Sequence, residues 1–281
     1  MKSRAVSTSS VFDGALWTRT IKANMAPSKQ EAHIASSGAQ TLARGLSVVE
    51  FLAAAAEPRR PSDIARALGL DRNAVYRMLL ELQSQSYVVK VSERGGYVVG
   101  NGLVALAAMV MRKIDLRRSA LVYMEKVGES TGETVGLHVR NNRTRVCIEV
   151  VPGRHAIRRV VQVGETLPLW AGPSGKAILA YMEPMEVDLI LAEAKEAGQD
   201  VEKIRRHLDE LRLNGYMASV GDRSPGVGGL SVPVFKADGI GASMTVSGPA
   251  SRWTQEAMEN AADLVKGMCD SLSESLGYVP S

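Results

Sequence analysis

The chain has 281 residues, 45% of them hydrophobic, and a formal net charge of +4 at pH 7. That length is enough for two domains with separate cores. No run of about eighteen apolar residues occurs and the first residues lack an apolar signal segment, which argues against a membrane protein or a secreted one. The only two cysteines, Cys147 and Cys269, lie far apart. No disulfide framework is therefore indicated, and we expect a reducing, cytoplasmic location.

The charge is unevenly distributed along the chain. Residues 1–115 carry 15 Lys and Arg against 9 Asp and Glu, a net of +6, whereas residues 116–281 carry a net of −2. A protein that neutralises phosphates needs its cations on the part that meets nucleic acid. The asymmetry therefore favours a nucleic-acid contact in the first part of the chain.

The chain opens with a segment, residues 1–37, that is rich in Ser, Ala, Lys and Arg and has no periodicity, so it is predicted to be a disordered tail. A first helix is predicted over residues 41–56. Its apolar stripe is Leu42, Leu46, Val49, Phe51 and Leu52.

Residues 61–82 predict two short helices joined at Gly69. Glycine supplies the left-handed backbone that a steep helix-helix turn requires, and the small Ala65 before it lets the helices cross closely. Val75 then lies where the second helix faces inward. One small core can take the apolar residues of both helices, which are Ile64, Leu68, Leu70, Val75, Met78, Leu79 and Leu82. This spacing is typical of a helix-turn-helix.

The other side of the second helix carries polar and cationic residues near its start, where a recognition helix meets the major groove. Arginine and asparagine bind base edges in bidentate fashion. Ser62 is predicted to cap the first of the two helices. The predicted DNA surface comprises Ser62, Arg72, Asn73, Ala74, Tyr76, Arg77 and Arg94.

Two β-rich runs, residues 87–91 and 97–100, flank a Gly-Gly turn and predict a hairpin. Arg94 lies at its tip, within reach of flanking DNA. Residues 38–101 are thus predicted to form a winged helix-turn-helix domain that reads double-stranded DNA. The alternative is a small helical domain whose basic residues only solvate the surface.

The next segment, Leu103 to Ile114, is apolar on most faces. It predicts a linker helix, residues 102–115, that packs on its own domain and on a second subunit. An intramolecular core helix is the alternative. Because dimeric readers suit two-fold DNA sites, we favour a homo-oligomer on a pseudo-palindromic operator.

Residues 116–281 predict an α+β domain with an antiparallel sheet, since strands come first, then helices, then strands again. Alternation over 134–140 and 145–151, joined by residues 141–144, predicts a hairpin. The other predicted elements are a helix at 116–131, a strand at 157–163, helices at 176–182, 185–196 and 201–213, strands at 230–235 and 240–247, and a helix from Thr254.

The predicted hairpin also pairs His138 with Cys147, with Glu149 two residues along. Two or three such ligands could hold zinc. The favoured interpretation is instead that these side chains lie on the polar face of a sheet, with no metal. No cofactor is expected, and catalysis is not indicated. The Gly-Lys pair at 175–176 lacks the rest of a Walker loop, no Gly-x-Ser-x-Gly elbow occurs, and the histidines are scattered.

Several motifs in order resemble the IclR family of transcriptional regulators. They are AQTLARGLSVVE at 39–50, GETLPL at 164–169 running into SGKAILA at 174–180, Gly215-Tyr216, PGV at 225–227, VPVF at 232–235 and VSGPASR at 246–252. The match covers roughly residues 39–275. The resemblance implies a winged helix-turn-helix joined to a GAF-like effector domain, a dimer or tetramer, and control of catabolic or stress operons, most often as a repressor, by small metabolites such as aromatic or aliphatic acids.

In the pocket that the resemblance implies, the loop and helix start at 170–177 present backbone N–H groups that favour a carboxylate. Thr245 and Ser247 alternate inward on one strand and can donate to the same ligand. Gly229 occupies a position that is often Cys in the family, and Asp222 is the one acidic residue here where the family has an acidic segment. These differences suggest a pocket that is roomier and less polar than those of related proteins. The predicted effector residues are Leu169, Trp170, Ala171, Gly172, Ser174, Gly175, Asp222, Gly229, Thr245 and Ser247.

Two functions of different classes fit the sequence. The first is a ligand-gated DNA-binding regulator. The second is a metabolite-binding adaptor or scaffold whose winged helix contacts protein. The exposed Arg72, Asn73 and Arg77 favour the first, because the core of a protein interface is depleted of charge.

Overall fold

The computed structural model describes residues 37–91, 96–113 and 115–279. The chain divides into two compact units at the boundary between Lys113 and Ile114. Nearly all of the predicted tail, and Arg94 at the predicted wing tip, lie outside the described residues. None of the helices in the described ranges is long and apolar enough to cross a membrane.

The first unit is built on three helices, α1 (Ser37–Ala54), α2 (Pro61–Leu68) and α3 (Arg72–Ser84). Val48, Leu52, Ile64, Val75 and Leu79 are buried at its centre. The core predicted for the helix-turn-helix is confirmed, since the other predicted core residues, Leu68, Leu70, Met78 and Leu82, pack around these five. The predicted stripe on α1 is wrong at Leu42 and Leu46, which are exposed. The turn of α1 that contacts the other helices is the later one, around Val48 and Leu52.

The turn between α2 and α3 has the conformation that the sequence predicts. Gly69 ends α2 with a φ of 66° and a backbone N–H bonded to the carbonyl of Ala65. Asp71 then caps α3, its carboxylate accepting a hydrogen bond from the amide of Ala74. The prediction that Ser62 caps α2 is wrong, because α2 begins at Pro61 and the cap position is Arg60. Proline favours the first helical position, since its fixed φ fits and its missing N–H has no helical partner there.

Alanine substitutions at two glycines of this unit are expected to change its stability in opposite directions. A Cβ at Gly69 meets no atom within 4 Å, so Gly69→Ala costs only the conformational strain of a positive φ, roughly 1–2 kcal/mol. Gly45, inside α1, is equally open, and there Gly45→Ala is expected to stabilise by up to about 1 kcal/mol. Hydrogen exchange of the α3 amides measures both changes. A Gly69→Ala variant as stable as Gly45→Ala contradicts the strain argument.

The predicted wing is confirmed as a hairpin of β1 (Val88–Val91) and β2 (Gly96–Val99), paired antiparallel. Arg59 adds a bridge to Tyr97, with backbone hydrogen bonds in both directions. The helix α4 (Asn101–Lys113) follows. Val104, Leu106 and Met109 of α4 are exposed, so an intramolecular core helix is wrong for the residues whose side chains are described.

The second unit is a six-stranded antiparallel sheet with helices on both faces. Its strands are β3 (Thr134–Asn141), β4 (Thr144–Val151), β5 (Thr166–Pro168), β6 (Met217–Val220), β7 (Val227–Lys236) and β8 (Gly239–Pro249). They lie in the order β5-β4-β3-β8-β7-β6. Its helices are α5 (Asp115–Thr131), α6 (Gly172–Leu179), α7 (Pro184–Glu196), α8 (Val201–Asn214) and α9 (Gln255–Ser275). The α+β class with an antiparallel sheet is confirmed.

Alternation along the strands separates the two faces of this sheet. Leu230 and Val232 of β7 and Val246 of β8 are buried on the face that α5 and α9 cover. The opposite face is polar, and α6 packs over it. There Ser243 of β8 donates to the carbonyl of Ser174, and Ser231 bonds Thr245. Helices α6, α7 and α8 have their own apolar core around Leu179, Ile190, Leu208 and Leu211.

The structure corrects two predicted elements of this unit and adds one that was not predicted. No strand covers 157–163, because the outer edge of β4 is taken by β5 and by two backbone hydrogen bonds of Cys147, with Gly164 and Glu165. Helix α6 begins at Gly172, four residues before the predicted start, with Pro173 in its first turn. Strand β6 is an additional element that the sequence analysis missed.

Candidate functional site

The first candidate surface lies on α3. Asn73, Tyr76 and Arg77 are exposed on the side opposite the buried Val75 and Leu79. Within the described residues, no hydrogen bond or ion pair holds the side chains of Arg72, Asn73 or Arg77. They are therefore available to a partner. Ala74 is half-buried, as is Ser62 on α2, so these two contribute less surface than the sequence suggests.

The second candidate site is a cavity on the polar face of the sheet in the second unit. The first turn of α6, the inward side of β8 and the segments around Arg159 and Arg223 enclose it, with a volume of about 60 Å³. Six predicted effector residues line it: Gly172, Ser174, Asp222, Gly229, Thr245 and Ser247. Sequence reasoning did not assign the other polar lining residues, which are His138, Arg145, Arg159, Glu165, Ser219, Arg223 and Ser224.

Four predicted effector residues do not line the cavity. Leu169 is fully buried in the apolar core of the helices, and Trp170 packs against the same core. Gly175 lies against the carbonyl of Leu169, so closely that a Cβ would be 2.3 Å from that oxygen. Ala171 does not line the cavity but helps to position Arg145, because its carbonyl accepts a hydrogen bond from the Arg145 guanidinium.

The wall on the strand side is built from hydroxyls. Thr245 and Ser247 face the cavity from β8, as their alternation predicts. The Thr245 hydroxyl is 2.7 Å from that of Ser231, so one of its hydrogen bonds is already made. Gly229 is required by packing, since a Cβ there would lie 2.9 Å from the ring of Pro173.

Arg145 is the most unusual residue of the cavity. It lies on β4 with only 4% of its surface exposed, and its Nε has no hydrogen-bond partner among the described residues. Burial lowers the pKa of its guanidinium to about 10, and the positive charge of nearby Arg223 acts in the same direction. A buried cation without a counterion is costly unless a ligand supplies one. The expectation of a pocket less polar than those of relatives stays a prediction, and the buried Arg145 is a charged wall residue that it did not include.

The two carboxylates of the cavity are already engaged. Glu165 accepts a hydrogen bond from Arg223 at 3.0 Å. Asp222 accepts two from Lys176, at 2.7 and 2.8 Å, and both side chains are almost completely buried. His207 completes this group, 3.1 Å from the Lys176 ammonium. Asp222 thus faces the cavity with its charge largely balanced from behind.

The predicted pairing of His138 with Cys147 on the polar face of the sheet is confirmed, since His138 is also paired with Ser243 of β8 on that face. Both are buried, His138 against the cavity and Cys147 with its thiol donating to the carbonyl of Glu149. Burial raises the pKa of Cys147 to about 11, and Glu149 pairs with Arg117 at 2.7 Å. No group of three metal-ligating side chains occurs in the described part of the chain.

His138 gives a pH prediction. Burial, and then the charges of Arg145 and Arg223, hold its pKa well below 6.5, against a hydrogen bond with the Ser243 backbone that acts in the other direction. Below pH 6.5 the unfolded chain therefore binds a proton that the folded chain does not. As the pH is lowered below 6.5, the free energy of unfolding should therefore fall by about 1.4 kcal/mol per pH unit because of His138.

The test compares urea unfolding of the wild type and His138→Asn between about pH 7.5 and pH 5, where the linkage slope is expected. The variant should lose that part of the slope, while replacement of the exposed His155 by Asn should keep it. Equal slopes for the wild type and His138→Asn contradict the prediction.

These two units define the class of the protein. A winged helix-turn-helix with free cations on its second helix, and an α+β domain that encloses a polar cavity, are the parts of a ligand-responsive DNA-binding regulator of transcription.

Comparisons with known proteins agree with that class. The family model described as the IclR helix-turn-helix domain matches residues 41–92. The model described as the C-terminal part of the bacterial transcriptional regulator IclR matches residues 108–274. The chain belongs to the IclR family of bacterial transcriptional regulators.

Named relatives and solved structures cover most of the chain. The HTH-type transcriptional repressor AllR of Klebsiella pneumoniae is 29% identical over 90% of this chain and 96% of its own length. AllR of Escherichia coli K12 is 26% identical over 88% and 94%. The crystal structure of a putative IclR transcriptional regulator from Silicibacter sp. TM1040 has a TM-score of 0.75 at 26% identity, and covers 86% of this chain and 98% of that one.

Proposed function

We propose that this protein is a repressor that binds a pseudo-palindromic operator as a homo-oligomer and changes its DNA affinity when a small anionic metabolite fills the cavity of the second unit. The observation that carries this proposal is the buried Arg145, whose Nε faces no partner among the described residues. A buried guanidinium that has no carboxylate partner and lies beside hydroxyl groups is complementary to an organic acid. The repressor sign is taken from the AllR relatives, which are named as repressors.

The DNA contact is assigned to α3, with Arg72, Asn73, Tyr76 and Arg77 facing the major groove and Ala74 and Ser62 at the margin. The wing, including Arg94, contacts the flanking backbone. No catalytic role and no cofactor are proposed, and a protein that binds the bacterial chromosome works in the cytoplasm.

The signal must pass through two states of the protein, because a ligand shifts an equilibrium only if it binds the two states unequally. The change in operator affinity and the change in ligand affinity are then equal in size. The experiment is a gel-shift titration of DNA from around the protein's own coding region, with and without candidate organic acids and at several salt concentrations.

Binding that weakens steeply with salt and changes with an acid supports the regulator. A protein that captures neither this DNA nor a random duplex at low salt favours the alternative adaptor function. An acid that stabilises the protein but leaves DNA affinity unchanged contradicts the coupling.

The oligomer is assigned to the apolar side of α4, as part of the same proposal. Val104 and Met109 are exposed by 67% and 53%, and a two-fold operator requires two copies of α3. Sedimentation equilibrium should give a dimer or a tetramer for the wild type. A Val104→Glu, Met109→Glu variant should shift toward a smaller species, whereas Glu substitution of the exposed Leu213, on α8, should not. An unchanged mass for the α4 variant contradicts this assignment.

A further inference from the structure

The charges that line the effector cavity do not balance. Three guanidinium groups, those of Arg145, Arg159 and Arg223, face two carboxylates. Of these carboxylates, Glu165 pairs with Arg223, and Asp222 pairs with Lys176 outside the lining. Arg145 and Arg159 are left without a carboxylate among the described residues. The cavity therefore carries two positive charges that the protein itself does not neutralise.

Both uncompensated arginines are held in place. Arg145 is fixed by its position on β4 and by the carbonyl of Ala171. The backbone at Arg159 is tied to the sheet, since its carbonyl accepts a hydrogen bond of 2.6 Å from the hydroxyl of Thr134. Two residues earlier, the carbonyl of Ile157 accepts one from Arg252. The segment that carries Arg159 is thus anchored at two points, with its side chain directed into the cavity.

The arrangement is unfavourable without a ligand. The three arginines repel one another. Burial, and then the neighbouring Arg223, hold the pKa of both Arg145 and Arg159 below the ordinary value, against the attraction of Glu165, whose own ion pair is with Arg223. A single carboxylate would compensate only one of the two remaining charges. Buried charges that have no partner within the protein destabilise the fold, so they are typical of binding sites, where a ligand supplies the opposite charge.

We propose that the occupant of this cavity is a compact organic dianion, with one acidic group bound by Arg145 and the other by Arg159. The inference rests on the proposed effector function of the same cavity and specifies its ligand class. Neutral His138 and the hydroxyls of Ser247 and Thr245 complete the wall between the two cations. A dicarboxylate and a phosphate monoester share this chemistry, and the two are separated by the test.

The test is calorimetric titration of the full chain, at constant ionic strength, with matched acids. Succinate is compared with succinamate, its monoamide of the same shape, and phosphoglycolate with glycolate; malonate and glutarate vary the spacing. Succinate or phosphoglycolate is expected to bind about tenfold or more tightly than its monoanionic partner. Tighter binding confined to phosphoglycolate identifies the second group as a phosphate, and confined to a diacid, as a carboxylate.

Arg159→Gln is the decisive variant. It should bring the dianion and the monoanion to within about twofold of each other, and should not lower the stability of the ligand-free protein, because it removes repulsion. Arg158→Gln is the matched control, since Arg158 is the exposed neighbour on the same segment and does not line the cavity. It should keep the preference for the dianion.

Equal affinities of the wild type for succinate and succinamate, and for phosphoglycolate and glycolate, overturn the inference. So does a wild type that binds none of succinate, malonate, glutarate and phosphoglycolate at up to about 10 mM. The gel-shift titration distinguishes failure of the dianion inference from failure of the proposed function. If operator binding responds to monoacids alone, the dianion inference fails and the proposed function stands. If the chain does not bind DNA, the proposed function fails whatever the cavity binds.

Discussion

Replacement of Arg77 by alanine is expected to weaken operator binding about 10- to 100-fold at fixed salt, the effect of losing one arginine that contacts a base edge. Arg77 lies one turn after Asn73 on the exposed side of α3, and no described residue pairs with its guanidinium. Truncation therefore removes no hydrogen bond or ion pair within the described residues, and the fold should be unaffected. The loss should appear in a gel-shift titration with the operator and be smaller with a random duplex.

The companion variants show what kind of contact is lost. Arg77→Lys keeps the charge but cannot form the bidentate pair, so it should recover non-specific binding and not specificity. Arg206→Ala is the matched control, because Arg206 is an exposed arginine of α8 in the other unit. It should leave operator affinity unchanged. An Arg77→Ala protein that binds the operator within about twofold of the wild type removes this residue from the DNA surface.

Sequence reasoning succeeded where a few neighbouring residues decide the structure. Gly69 ends α2 and Val75 faces inward because both requirements act within a single turn. The hairpin of β3 and β4 has the predicted register between its turn and His138 for the same reason, since the turn is only two residues long, and the register shifts between Leu137 and His138. The missed cap of α3 was also readable, because Asp71 directly precedes the helix.

The cavity could be predicted only in part. Thr245 and Ser247 were found through strand alternation and Asp222 through family resemblance, but nothing local distinguishes Arg145 from an ordinary surface arginine on a strand. Its burial depends on α6, which packs over that face of the sheet and whose preceding residue, Ala171, bonds it from 26 positions away. Arg159 was not predicted as a cavity residue for a related reason. The alternation around it predicted a strand, whereas β5 takes the edge of β4 that such a strand would need.

Lys176→Met is expected to lower the free energy of unfolding by about 3–5 kcal/mol, as for other broken buried ion pairs. The side chains of Lys176 and Asp222 are 4% and 8% exposed, so removal of the ammonium leaves the Asp222 carboxylate buried without its ion-pair partner. The pKa of Lys176 is below its usual value because burial outweighs the attraction of Asp222. Both groups have therefore lost much of their hydration, and each depends on the other.

A double-mutant cycle isolates this pair. Lys176→Met with Asp222→Leu should recover most of the stability lost by Lys176→Met alone, because no uncompensated charge remains. The exposed pair Arg205 and Asp188 is the matched control, and Arg205→Met should cost less than about 1 kcal/mol. The cycle also tests the charge balance of the cavity. If Lys176→Met leaves stability unchanged, Asp222 is not committed to Lys176, its charge is free to offset Arg145 or Arg159, and a monoanion would then be sufficient to neutralise the site.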